Sequence, residues 1–89
     1  MKAIVTVVGK DRVGIIAEVC VQLASYNINV LDISQTVMQG YFTMMMAVDT
    51  SKSEIPFAEL AKKLDVKGEE MGMSIRLQRE DIFEAMHRV

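Results

Sequence analysis

Lys10, Asp11 and Arg12 stand between two glycines five positions apart, Gly9 and Gly14, in the run "VVGKDRVGIIAEV". Two cations and two glycines between a β-branched run and an apolar helical pattern have the look of a phosphate-binding loop. The detailed spacing rejects a nucleotide. A P-loop needs Lys and Ser or Thr directly after its second glycine, so that the ammonium reaches the phosphates and the hydroxyl holds magnesium. Here Ile15 and Ile16 follow Gly14, and Lys10 lies on the wrong side of it. The dinucleotide fingerprint also fails, because its central glycine is missing. What survives is a strand-to-helix junction with unpaired N–H groups and the positive end of a helix dipole. Gly14 has no Cβ, so a small ligand could touch the backbone directly. A carboxylate there would gain about 0.3–1 kcal/mol, or about 2 when partly buried. Asp11 is equally a favoured N-cap residue, worth ~1 kcal/mol with no ligand at all.

Other reactive side chains offer less. His87 has no second histidine or cysteine near it, so no metal site is expected. Cys20 falls on the apolar face of the first helical pattern and reads as a buried, inert thiol. Glu69 and Glu70 are adjacent in a helix, so they do not share a face and form no acid/base pair. No cofactor motif is present.

The elements that hold the loop follow from periodicity. Residues 2–8 are β-branched and end at Gly9, which reads as a strand. Residues 12–26 read as a helix with Val13, Ile16, Ala17, Cys20, Leu23 and Ala24 on its buried face. Its end falls at "YNIN", where asparagine tolerates the left-handed conformation. Strands at 28–38 and 41–49 flank the turn Gln39–Gly40, with Phe42, Met44, Met46 and Val48 facing the helices. Met45, Tyr41 and Thr43 point to the other face, which needs a cover. Leu31, Ile33 and Val37 lie on the side opposite Val30 and Asp32, and the pattern leaves open which side meets the helices. Pro56 opens a second helix whose stripe is Phe57, Leu60, Ala61, Leu64 and Met71, stopped at Gly72. Residues 73–79 alternate with Met73, Ile75 and Leu77 inward, and a short helix at 80–88 presents Ile82, Phe83, Met86 and Val89. The order β-α-β-β-α-β predicts an α+β, ferredoxin-like sandwich: a four-stranded antiparallel sheet, two helices on one face, and a short C-terminal helix.

Composition narrows the partners. Residues 1–89 make one domain with a thin core, yet 51% of them are hydrophobic and eight are methionine. The surplus apolar surface points to a homodimer. Twelve acidic against ten basic residues, with no exposed aromatic pattern, argue against nucleic acid. The apolar run "AIVTVV" is too short for a signal-peptide core or a membrane span, so a cytoplasmic location is expected.

"DRVGIIAEV", followed eighteen positions after Asp11 by Asn29 in "NINV", resembles the ACT domain. That regulatory fold binds amino acids in many biosynthetic enzymes. Its usual loop reads D/N-R-P-G-hydrophobic, and its helix leads into a "G/N-hydrophobic-N-I/V" segment entering the second strand. The resemblance covers residues 1–80, and "LDISQTVMQGYFTMMM" is similar to the small stand-alone members related to the glycine-cleavage-system regulator. It implies an amino-acid site made of Asp11, the Arg12–Val13–Gly14 backbone and Asn29. Asn29 would reach across a dimer interface formed by edge-to-edge pairing of the second strands. Asp11 suits a ligand ammonium, the amides near Gly14 suit its carboxylate, and Asn29 can serve either. Val13 stands where the family usually has proline. With no attached enzyme, any output passes through a partner protein or through assembly.

Two other functions fit parts of the pattern. One is a protein-interaction module with a vestigial site. The other is an acylphosphatase-like enzyme, which shares this fold and would set Arg12 and Asn29 on one phosphoryl group. The acylphosphatase signature G-x-V-Q-G-V-x-F-R is absent, so no enzymatic activity is expected.

Overall fold

A computed structural model describes residues 1–87, and the side chains up to Glu84. The elements run β1 (Lys2–Lys10), α1 (Ile15–Ser25), β2 (Asn29–Met38), β3 (Tyr41–Asp49), α2 (Phe57–Met71), β4 (Ser74–Arg79) and α3 (Glu80–His87). The four strands form one sheet in the order β2-β3-β1-β4. All three pairings are antiparallel. This is the ferredoxin-like arrangement, with β2 and β4 at the edges.

The core lies between the sheet and two helices. Val5 and Val7 of β1, Phe42, Met44, Met46 and Val48 of β3, and Ile75 of β4 meet Ile15, Val19 and Leu23 of α1 and Leu60 and Leu64 of α2. These positions alternate along the strands because successive residues point to opposite faces. Gln39 (φ 53°) and Gly40 (φ 81°) are both left-handed, the geometry that matches the twist of a two-residue hairpin. On α2, Gly68 is buried, and a Cβ there would lie 2.7 Å from the carbonyl oxygen of Met73. Only a hydrogen lets α2 approach the start of β4 so closely.

Several details differ from the sequence reading. β1 continues through Gly9 to Lys10, because Gly9 pairs with Phe42 and Met73 packs over it. α1 starts at Ile15, and its buried stripe is Ile15, Val19 and Leu23 with Ile16 and Cys20 half-buried. Val13 is instead 97% exposed, and Ala17 and Ala24 also face solvent. The later start rotates the expected face by about one residue. A bulge between Val30 and Asp32 displaces Leu31 and resets the alternation of β2. Val30, Ile33 and Val37 therefore lie opposite Val48, Met46 and Phe42, on the helix side. No helix covers the outer two: Ile33 is 40% and Val37 53% exposed. α3 packs on β1 and β4, which leaves Tyr41, Met38 and Met45 of the outer sheet face accessible. Phe83 is half-buried and Ile82 exposed. The Met86 side chain and Val89 lie outside the described residues. No described helix is long and apolar enough to cross a membrane.

Candidate functional site

The β1–α1 loop is built by backbone geometry. The Asp11 N–H donates to the Gly40 carbonyl (2.8 Å), which ties the loop to the β2–β3 turn. Gly14 then takes φ 91° and forms the N-cap of α1, and its carbonyl accepts the first helical bond from the Glu18 N–H (2.9 Å). The capping role expected of Asp11 is therefore not realised. Asp11 sits three residues ahead of the cap, with the turn at Val13–Gly14 between, and no side chain caps the helix. The first-turn amides of α1 have no side-chain cap, and the Asp11 carboxylate has no hydrogen-bond or ionic partner among the described residues.

Arg12 is engaged. Its guanidinium donates to the Val13 carbonyl and to Glu18 Oε1, both at 3.1 Å. Lys67 Nζ lies 3.9 Å from the other Glu18 oxygen. These contacts are solvent-exposed, so each is worth under ~1 kcal/mol, but they fold the Arg12 charge back onto α1.

Asn29 lies elsewhere. It opens β2 opposite Asp49, which pairs with Lys2, whereas Asp11 follows Lys10, which pairs with Tyr41. The eight steps from Lys2 to Lys10 place the two ends of the sheet roughly 26 Å apart. Asp11, Arg12, Val13 and Gly14 are thus together, and Asn29 is at the far end of the same chain. One chain cannot set Arg12 and Asn29 on one phosphoryl group, the geometry an acylphosphatase-like reaction needs.

Asn29 borders an open depression of about 500 Å³, shared with Asn27, Ser51, Lys52 and Asp49. Asn27 is left-handed (φ 62°), and its side-chain amide donates to the Lys52 carbonyl (3.1 Å), which fixes the loop after β3. The Ser51 N–H donates to Asp49 Oδ1 (2.9 Å). That bond and the Ser51 hydroxyl hold the Asp49 carboxyl below its usual 3.8, assisted by the terminal ammonium 3.6 Å away and opposed by partial desolvation. Sequence reasoning missed Asn27, Ser51 and Lys52 as neighbours of Asn29. The hairpin register was the available signal, since it returns the end of β3 to the start of β2. Among the described residues no group of His, Cys, Asp and Glu could hold a metal.

Fold and loop together define a class: a ferredoxin-like domain with an uncapped helix N-terminus beside a free carboxylate, and an unpaired edge strand on one flank. The ACT domain profile matches residues 2–78, and the chain belongs to that family of regulatory small-molecule-binding domains. A UPF0237 protein of Clostridium acetobutylicum is 56% identical over the full length of both chains. An ACT domain protein from Streptococcus pneumoniae superimposes with a TM-score of 0.83 at 44% identity, covering 98% of each chain. The fold alone is shared with a chain assigned as a glycine cleavage system transcriptional repressor, at 20% identity and a TM-score of 0.74, over 86% of this chain and 44% of that one.

Proposed function

We propose that two copies pair through their β2 edges and bind a small zwitterion, an amino acid, at the sites this pairing completes. The observation that carries the reading is the separation of Asp11 from Asn29 along the sheet. When two β2 strands run antiparallel across a twofold axis, the start of each meets the end of the other. Asn29 of one copy then lies at the turn to which the Asp11 loop of the other is bonded. Pairing would also cover the open edge and bury Ile33, Val37 and the exposed Val21. In this site Asp11 takes the ligand ammonium, the α1 first-turn amides take its carboxylate, and Asn29 of the partner subunit closes the third side. Arg12, turned onto Glu18, contributes its backbone.

The domain acts as a sensor. A ligand that bridges two chains favours one dimer geometry by as much as it prefers it, and a regulated protein reads that geometry. The proposed setting is the cytoplasm, where free metabolites are pooled. Thermal unfolding against the twenty amino acids at millimolar concentration tests the reading. A ligand at a hundred times its Kd adds about 2.7 kcal/mol, which is a shift of several degrees in a domain of this size. The shift should vanish in Asp11→Ala. Silence across the panel would reject an amino-acid sensor and leave an interaction module.

A further inference from the structure

We infer that the interface site selects an amino acid with an acidic side chain, and that Lys52 is the residue that selects it. The inference rests on the two-chain reading above. There, Asp11 and the α1 amides hold the α-ammonium and α-carboxylate, so the ligand's side chain is directed across the interface. It meets the depression beside Asn29 of the other copy, and the chemistry of that depression decides what fits.

The lining of the depression is more polar than apolar: Ala24 offers a single exposed methyl, and Ile28 is buried beneath the surface. Its charges are unequal in availability. The Asp49 carboxylate is occupied by the Ser51 N–H and the terminal ammonium. The amide nitrogen of Asn27 is spent on the Lys52 carbonyl. The Lys52 ammonium has no hydrogen-bond or ionic partner among the described residues, although its backbone is fixed by that same Asn27 bond. On the other chain Arg12 is folded onto Glu18, and Lys10 shares the outer sheet face with Thr6 and Val8, away from α1, so the free charge on the helix side of the loop is the Asp11 carboxylate. Each site therefore offers one unpaired anion and one unpaired cation on opposite chains, plus helix amides for a second anionic group. A ligand with one ammonium and two carboxylates matches all three. An amide side chain would leave Lys52 unmatched, and a basic one would be repelled.

Calorimetric titration of the full chain with L-glutamate, L-glutamine, L-aspartate, L-asparagine and L-leucine tests this. An acid should bind more tightly than its own amide by roughly tenfold, the size of a partly exposed charge-assisted contact. Lys52→Gln should bring acid and amide within about twofold of each other, Lys52→Arg should keep the preference, and Lys52→Glu should reverse it. Lys52 is exposed, so these variants should keep the wild-type melting temperature. If the amide or leucine binds as well as the acid, and Asp11→Ala still abolishes binding, the selectivity assigned to Lys52 is wrong while the shared site stands. If none of the five binds, the inference fails. If the full panel of twenty amino acids is also silent, the shared-site reading fails with it.

Discussion

Replacing Gly68 by alanine sets two opposing effects against each other in one helix. In an exposed helix the change stabilises by about 1 kcal/mol, because alanine has the higher helix propensity. Here the new Cβ would stand 2.7 Å from the Met73 carbonyl oxygen, 3.0 Å from the Ile75 nitrogen and 3.1 Å from Ile75 Cγ1. The first two are backbone atoms at the start of β4, so no side chain can simply swing aside. Relief requires α2 and β4 to separate by several tenths of an ångström, which also loosens Leu64 and Ile75, both fully buried. Overpacking of this kind costs about 1–3 kcal/mol, and loss of contact in the core adds to it. We therefore expect a net destabilisation of about 1–2 kcal/mol. Urea unfolding followed by circular dichroism should show a lower midpoint at unchanged slope, and the melting temperature should fall by about 5–15 °C. A Gly68→Ala variant as stable as the parent, or more so, would refute the close approach of α2 to β4.

Gly14→Ala should destabilise by about 1–2 kcal/mol, since φ 91° is unfavourable for a residue with a Cβ, and Gly14→Asn should fall between the two in urea unfolding. Asp49 has its carboxyl pKa lowered in the folded state, so its stabilising effect is present above the unfolded value of 3.8 and is lost as pH falls through the lower folded value. The stability difference between wild type and Asp49→Asn should be constant above about pH 5 and shrink on acidification towards pH 3; a difference that grows there would contradict the assignment. Ile33→Lys with Val37→Lys places two charges on the exposed helix-side strip of β2, and sedimentation equilibrium should report a monomer with an intact fold.

The strands and helices were legible because their apolar residues repeat strictly. Phe42, Met44, Met46 and Val48 leave no doubt about the inner face of β3, and Gly72 (φ 70°) ends α2 where a left-handed residue was expected. The start of α1 was misread because Asp11 has the chemistry of an N-cap, whereas the left-handed Gly14 supplies the cap through its backbone. Val13 moved from core to solvent as a consequence. β2 was ambiguous for a different reason. Its apolar residues serve both a half-covered face and an open edge, and the bulge at Leu31 breaks the period that would tell them apart. The loop residues of the candidate site were proposed from their motif. Their separation from Asn29 depends on strand register, and Lys52 enters only once the ends of β2 and β3 are set side by side.

Each proposed site draws Asp11 from one chain and Asn29 from another. Asp11→Ala and Asn29→Ala should each abolish the ligand-induced thermal shift when purified alone. Mixing the two, with subunits exchanged through brief unfolding and refolding, makes dimers in which one site has both residues and the other has neither. Calorimetry on an equal mixture should then recover binding at about a quarter of the wild-type site number, with wild-type affinity. No recovery, in a mixture shown to contain heterodimers, would contradict a site built between two chains.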